Sequence, residues 1–249
     1  MDIMADPLLA LSPVDGRYAK STERLVPYFS EFALIQYRVR VEIEYFIALS
    51  RIPLPELREF PSDKVADLQD IFLDFTQGDA ARIKQLERST NHDVKAVEYY
   101  LKERFDDLGL GKWKEFIHFG LTSQDINNTS VPLSLLEMME EEYLPLLGEV
   151  IVSLNEASDR WEDIAMLAHT HGQPASPTRL GKEIEVFAER LDHQLRLLRH
   201  IPFAAKFGGA TGNMNAHYVA YADIDWHQFA QHFVEDVLGL HRSPPQRKS

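Results

Sequence analysis

The sequence has no cysteine among its 249 residues, which excludes disulfides, thiolate nucleophiles and Cys-ligated zinc or iron–sulfur sites. It is also short of positive charge, because 26 Lys+Arg stand against 39 Asp+Glu and the formal net charge is −13. This balance disfavours a general nucleic-acid binder, whose affinity comes from cations that neutralise phosphates. It permits a small anionic ligand held by a few local cations.

Long hydrophobic runs are missing as well. No apolar stretch approaches the roughly 20 residues that a membrane helix needs, and the first six residues, MDIMAD, lack a basic segment before an apolar core. We therefore expect a soluble, cytoplasmic protein without a membrane partner. At 45% apolar and 26% charged residues, the composition is that of an ordinary globular chain of one or two domains.

Apolar residues recur every three or four positions along most of the chain, which indicates amphipathic helices. Ser30 predicts a helix start before 32–49, Ser62 predicts another before 65–75, and Gly109 predicts the end of a helix over 94–108. Three longer apolar stripes follow, at 147–168, 180–198 and 226–237.

Two Gly- or Pro-rich loops are predicted between these stripes, HTHGQPASPT at 169–178 and KFGGATGNMNAH at 206–217. The pattern as a whole predicts an all-α fold, with an N-terminal helical domain at 1–110 and part of a long-helix bundle at 111–241. The basic, Pro-containing end RSPPQRKS, 242–249, is predicted to be an unstructured tail.

HTHGQP contains the first candidate for catalysis. His171 precedes Gly172, where the backbone turns, and a histidine that titrates near neutrality suits general acid work. The alternative is that His169 and His171 only satisfy carbonyl groups at a helix end. A metal site is not predicted, since His-x-His is short of the three or four ligands that zinc needs.

The NHD sequence at 91–93 opens a helix, so its backbone N–H groups and Lys95 are positioned to hold an anion. Capping by Asn91 or Asp93, with His92 facing solvent, is the alternative. Thr122 and Ser123 likewise precede a helix, and capping also explains such residues.

Two further segments give weaker signals. Arg17 and Tyr18 offer a guanidinium and a phenol to a phosphate, although an arginine in a turn is commonly only solvated. The glycines at 208, 209 and 212 follow no predicted strand, so they do not form a nucleotide-binding fingerprint.

Seven motifs occur in order along nearly the whole chain: SPVDGRY, TNHDVKAVEY, EFIHFGLTSQDINN, HTHGQPASPT, GKE, GNMNAH and DWHQF. Together they resemble the bacterial-type adenylosuccinate lyase family of the fumarase/aspartase superfamily. The resemblance implies β-elimination of fumarate from adenylosuccinate, giving AMP, and from the succinyl-carboxamide ribotide of purine biosynthesis. It implies no cofactor, a purine nucleotide substrate and a homotetramer whose active sites combine motifs from three chains.

The resemblance also implies roles for individual residues. His171 corresponds to the general acid for the departing nitrogen, and His92 falls in the substrate site as a second catalytic candidate. The implied substrate-binding residues are Arg17, Tyr18, Asn91, Asp93, Thr122, Ser123 and Gln173.

One departure from the family is clear. The general base of the family is a serine in a loop of the form Gly-Ser-Ser-x-Met-Pro-x-Lys-x-Asn-Pro, and the 249 residues contain no such stretch. We therefore expect an N-terminal portion of the enzyme that ends in a foreign tail, with little turnover of its own, and we assign no role to Gln246. The alternatives are another lyase of the superfamily, such as argininosuccinate lyase or fumarase, and a non-catalytic helical assembly module.

Overall fold

The computed structural model describes residues 10–243 and is mainly helical. Within that range the α-helices are α1 Val26–Phe29, α2 Glu31–Ser50, α3 Val65–Leu73, α4 Gln77–Thr90, α5 Asp93–Asp107, α6 Ser123–Met138, α7 Leu144–Arg160, α8 Leu180–Arg199, α9 Asn215–Ala220 and α10 Trp226–His232. An antiparallel hairpin consists of β1 Ala165–Thr170 and β2 Gln173–Arg179, and a short parallel pair consists of β3 Ala204–Ala205 and β4 His241–Arg242. The all-α fold class is confirmed, since the few strands are short.

The described chain divides into two compact units. The first unit comprises the residues up to Leu136 together with those from Phe203 onward, and the second comprises Glu137–Pro202. This division follows packing contacts, so the expected domain boundary near Gly109 stays a prediction.

Helix α2 lies at the centre of the first unit, where it contacts α1, α3, α4, α5 and the π-helical turn Phe233–Val237. Thirteen of its 20 residues are buried, which explains why its sequence shows no clean amphipathic stripe. Phe46 illustrates the packing, because its ring centroid lies 4.8 Å from that of Phe105 and 5.2 Å from that of Phe60.

The helix starts and stops predicted in this unit are mostly correct. Ser30 caps α2, because its side chain accepts a hydrogen bond from the Ala33 N–H. Gly109 follows α5 with φ +73°, a conformation that suits glycine at a helix end. The predicted cap at Ser62 is wrong: Ser62–Lys64 form a turn of 3₁₀-helix, and α3 begins at Val65 without a side-chain cap.

The stripe predicted over 147–168 is wrong beyond Arg160, where α7 ends. The predicted loop 169–178 is wrong too, because most of it forms the β1–β2 hairpin. Its turn consists of His171 at φ +52° and Gly172 at φ +75°, and two positive φ values in a two-residue loop are typical of a type I′ turn. The apolar residues at 161–168 have helical spacing although they do not form a helix. The His171–Gly172 pair favours the tight turn of a hairpin instead.

The third stripe is interrupted, since α10 gives way at Phe233 to the π-helical turn Phe233–Val237. Its core positions are nevertheless buried at Trp226, Phe229 and Phe233. Part of the predicted tail is structured, because Arg242 lies in β4 and the Ser243 N–H donates to the Ala205 carbonyl. The remainder, 244–249, lies outside the described residues. Over 10–243, no helix has the length and apolar character to cross a membrane.

In the second unit, the end of α7 and the start of α8 meet at Gly181. Its N–H donates to the Trp161 carbonyl, and its own carbonyl accepts from the Ser158 hydroxyl. A Cβ at this position would lie 2.3 Å from the Ser158 carbonyl oxygen and 2.8 Å from the Glu162 Cα, which are backbone atoms. Only glycine therefore fits between the two helix ends.

We predict that Gly181→Ala lowers the free energy of unfolding by about 1–3 kcal/mol, because the methyl group forces the two helix ends apart. Gly148→Ala in α7 is the matched control, since a Cβ there meets no atom within 4 Å. The control is expected to raise stability by about 0.5–1 kcal/mol through helix propensity. Urea unfolding followed by circular dichroism measures both, and equal effects would contradict the close packing at Gly181.

Candidate active site

The NHD turn joins α4 to α5. Asn91 ends α4 in the left-handed conformation, with φ +51°, and its N–H donates to the Glu87 carbonyl. The cap of α5 is His92, whose Nδ1 accepts a hydrogen bond from the Lys95 N–H at 3.1 Å. The alternative in which Asn91 or Asp93 caps the helix is therefore wrong. Because Nδ1 accepts this hydrogen bond, the ring proton lies on Nε2, which has no hydrogen-bond partner among residues 10–243 and belongs to a half-exposed ring.

Asp93 is the first residue of α5 and pairs with a residue of α2. Its Oδ2 accepts from Nη2 of Arg38 at 2.7 Å, and its Oδ1 accepts from the Val94 N–H at 2.9 Å. Burial raises the pKa of Asp93, but the Val94 N–H and the Arg38 charge outweigh it, and the pKa is lowered overall. Asp93 is thus an ionised residue that fixes the turn.

A cavity of about 530 Å³ opens beside this turn. Its lining consists of Lys84, Glu87, Arg88, Asn91, His92 and Asp93. Lys84 is neutralised by Glu31 and Glu87, at 2.7 Å from each. Arg88, in contrast, makes no ion pair or hydrogen bond through its guanidinium within the part of the chain that the structure describes. The cavity therefore holds an available cation and the Nε2–H donor of His92.

Thr122 and Ser123 stand at the start of α6, half-buried, and neither hydroxyl has a hydrogen-bond partner within residues 10–243. The Thr122 N–H donates to Oδ2 of Asp125 at 2.9 Å. Asp125 is fully buried, and its Oδ1 accepts from the Lys206 ammonium and from the N–H groups of Gly208 and Gly209, at 3.0–3.2 Å. One carboxylate thus holds the TSQD segment against the KFGG loop.

His118 lies in the turn before Thr122, with φ +59°. Its Nδ1 is 2.5 Å from Oε1 of Glu42, a fully buried carboxylate on α2. Burial lowers the pKa of His118, but the charge and hydrogen bond of Glu42 more than compensate, and the pKa is raised. The pair with Glu42 therefore fixes the His118 ring beside the Thr122–Ser123 segment.

His217 of the GNMNAH motif is fully buried against α2. The Tyr45 hydroxyl lies 2.8 Å from its Nε2 and 2.7 Å from the Phe119 carbonyl oxygen. Because the Tyr45 hydroxyl donates to that carbonyl, its oxygen is placed to accept from Nε2–H of His217, and Nδ1 is then the acceptor nitrogen of the neutral ring. Nδ1 has no partner among the described residues, and burial lowers the pKa of His217 to about 4.

The remaining predicted residues are found in both units and are described within each. Arg17 and Tyr18 belong to the first unit, where both are exposed and the guanidinium lies 5.5 Å from the Tyr18 ring centroid. Within residues 10–243, neither forms a hydrogen bond or ion pair with the NHD turn. His171 and Gln173 belong to the second unit, where His171 is exposed in the hairpin turn and Gln173 opens β2. No three His, Asp or Glu side chains between residues 10 and 243 converge as ligands for a metal ion.

Comparison with known proteins identifies the family. Residues 16–243 match the family described as lyase. The chain belongs to this lyase family. It is 51% identical over 242 residues to an adenylosuccinate lyase of Dictyostelium discoideum, with 94% of the chain and 52% of that protein covered. With an adenylosuccinate lyase of Escherichia coli K12 the identity is 43%, over 95% of the chain and 52% of the relative.

These relatives confirm the resemblance predicted from the motifs. The lyase chain spans about half the length of the curated relatives that it matches. Solved structures agree on the fold. A fumarate lyase from Mesorhizobium sp. BNC1 superposes with a TM-score of 0.70 at 19% identity, and covers 90% of the chain and 49% of its own. A 3-carboxy-cis,cis-muconate lactonizing enzyme from Pseudomonas putida superposes with a TM-score of 0.66, also at 19% identity. That superposition covers 90% of the chain and 48% of the enzyme.

Three residues of the lyase were missed by the sequence analysis, namely Arg88, His118 and Asp125. Asp125 had a local signal, since an acidic residue three positions after Thr122 is the second half of a capping box. His118 had no such local signal, because its partner is the carboxylate of Glu42, 76 positions away in the sequence. Arg88 had none either, because what distinguishes it is a guanidinium without a partner within residues 10–243.

We predict that His217 makes stability fall in acid. The lowered pKa keeps His217 neutral in the folded chain, whereas the unfolded chain binds a proton below about pH 6.5. The contribution of His217 to the free energy of unfolding is fully present above about pH 6.5 and is lost as the pH falls toward about 4. At pH 4.5 the loss amounts to about 2 kcal/mol.

The measurement is urea unfolding at pH 7.5, 6.0 and 4.5 for the lyase and for His217→Asn, which cannot take up this proton. The variant is expected to be less stable at pH 7.5 but to lose less stability across the window. Parallel pH curves for the two proteins would rule out His217 as the source.

Proposed function

We propose that this chain supplies the substrate-binding and acid half of an adenylosuccinate lyase active site. The reaction is β-elimination of fumarate from adenylosuccinate, which yields AMP, and from the succinyl-carboxamide ribotide of purine biosynthesis. One observation carries the proposal: His92 and Arg88, whose guanidinium has no partner within the described residues, line one cavity at the NHD turn, in a chain 51% identical to an adenylosuccinate lyase.

The charges around the NHD turn support an anionic substrate. Adenylosuccinate carries one phosphate and two carboxylates, and Arg88 together with the Nε2–H of His92 provides a cation and a donor for one of them. The hydroxyls of Thr122 and Ser123, which lack partners in the described part of the chain, are proposed to donate to a substrate carboxylate. Asn91 and Asp93 shape the turn, and Arg17, Tyr18 and Gln173 are the other proposed binding residues.

The elimination needs an acid and a base. C–N cleavage leaves the electron pair of the bond on the purine nitrogen, so a proton must reach that atom as fumarate forms. We assign this step to His171, because the hairpin turn exposes its imidazole, which has no hydrogen-bond partner among residues 10–243. No cofactor is proposed. The base that removes the proton beside the carboxylate must come from outside these 249 residues, because they contain no Gly-Ser-Ser-x-Met-Pro stretch.

The second unit supports the proposed assembly. Helix α7 buries none of its side chains within the described chain, and α8 buries only Gly181, Ala188 and Leu195. Large apolar side chains are exposed on these helices, among them Leu146, Val150, Val152, Phe187 and Leu197. Such a surface is typical of an interface, and we propose that α7 and α8 pack in a homo-oligomer, a tetramer in the complete enzyme. A cytoplasmic location and the lack of a nucleic-acid partner are parts of the same proposal.

The proposal is tested by joining residues 16–243 to the C-terminal half of the E. coli relative, so that the missing base is restored. The chimera is expected to release AMP and fumarate from adenylosuccinate and to leave argininosuccinate intact. His171→Ala should lower kcat at least about 100-fold, because the departing nitrogen loses its acid. Chromatographic quantification of AMP and fumarate measures both effects.

His169→Ala is the matched control, since His169 lies in β1 two residues earlier and is also exposed. It should retain kcat within about three-fold of the parent chimera, as expected for a surface residue outside the chemistry. Near-normal turnover in His171→Ala would remove the acid assignment. Cleavage of argininosuccinate instead would identify a different lyase of the superfamily, and a chimera that folds without any lyase activity would favour the assembly module.

A further inference from the structure

Helix α2 carries polar groups on a face that is buried. Arg38, Glu42 and Tyr45 are spaced by four and three positions, so they lie on one side of the helix. Arg38 is 8% exposed, whereas Glu42 and Tyr45 are fully buried. A buried charge is costly unless it is paired and hydrogen-bonded, and an apolar residue at these positions would cost less. The partners of these side chains therefore indicate what the charges do.

Each partner belongs to one of the polar motifs. Arg38 donates from Nη2 to Asp93 of the NHD turn and from Nε to Oδ1 of Asn127 in TSQDINN, at 2.7 and 2.9 Å. A planar guanidinium fixes both acceptors in direction as well as in distance. Arg38 thus sets the position of α5, with His92 at its cap, relative to α6, with Thr122 and Ser123 at its start.

Glu42 acts one helical turn further along. Its Oε1 pairs with His118 in the turn that leads into Thr122, and that turn has a left-handed residue which packing must hold in place. Its second oxygen, Oε2, is buried without a hydrogen bond among the described residues. A carboxylate with one unsatisfied oxygen gives up stability, which is typical of a residue retained for what it orients.

Neither residue lines the cavity at the NHD turn, so both act through other residues. We propose that Arg38 and Glu42 are positioning residues of the substrate site: together they hold the NHD turn, the His118 turn and the start of α6 in one fixed arrangement. The inference rests on the proposed function for its substrate, but the positioning itself is a property of the free chain.

The experiment measures AMP affinity by calorimetry in the 249-residue chain, with Arg38→Met, Arg38→Lys and Glu42→Gln as variants. Glu44→Gln is the matched control, because Glu44 is the same residue type two positions along α2 and pairs with Gln69 on α3. Arg38→Met and Glu42→Gln are expected to weaken AMP binding at least about ten-fold, the usual effect of losing a hydrogen bond to a charged group. Arg38→Lys should be intermediate, since it keeps the charge and loses the second bond.

The affinities are compared at a temperature where circular dichroism shows every variant fully folded, so that lost stability does not imitate lost positioning. A parallel measurement records NMR spectra of the chain without ligand. The ¹⁵N shifts of the 91–94 amides and of the Asn127 side-chain amide should change in Arg38→Met. The signals of the His118 ring should change in Glu42→Gln. Glu44→Gln should leave all of them unchanged.

The outcomes separate the two proposals. AMP affinities equal to that of the unchanged chain in both Arg38→Met and Glu42→Gln would overturn the positioning role. If the unchanged chain does not bind AMP, the proposed function fails for this half-site, and the NMR shifts decide the positioning alone. If the NMR signals of residues 91–94, Asn127 and His118 are unchanged in these variants, the positioning role is overturned.

Discussion

The first unit depends on one constraint, that the charges on the buried face of α2 must find hydrogen-bonding partners. Burying a guanidinium and a carboxylate, as Arg38 and Glu42 are buried, is unfavourable by itself, and only well-directed hydrogen bonds offset the lost hydration. Arg38 finds Asp93 and Asn127, and Glu42 finds His118. The same requirement that stabilises the interior therefore also fixes the polar motifs, although these are up to 89 positions away in sequence.

The site also shows that a residue which caps a helix can keep a polar group for another partner. His92 uses Nδ1 to accept from a backbone N–H of α5, a capping role that the sequence suggested for its neighbours Asn91 and Asp93, and its Nε2 is the nitrogen left for the proposed substrate. Asp125 combines roles in a similar way: it is the acidic residue of a helix start and the acceptor for three donors from a remote loop. Distinguishing a structural role from a functional one by residue type alone is not possible at such positions.

Local signals predicted much of this structure. Ser30, Gly109 and the apolar spacing of 180–198 act over a few residues, and the corresponding helix ends and helix are found. The prediction failed where a short-range pattern competed with a stronger one, as at 161–168, where apolar spacing suggested helix but the His171–Gly172 turn required a hairpin. The motifs also led to the NHD cavity. The residues that arrange it, Glu42 and His118 above all, were not predictable because their pairing exists only after the chain has folded.

The ion pair between Arg38 and Asp93 is the most direct point at which to test this account. A double-mutant cycle with Arg38→Met, Asp93→Asn and the double variant isolates their coupling from the other interactions of each residue. With free energies of unfolding from urea titration, the account predicts a coupling of about 1–3 kcal/mol in favour of the pair. Additive effects, within about 0.3 kcal/mol, would show that the buried charge on α2 does not hold the NHD turn, and would contradict the account.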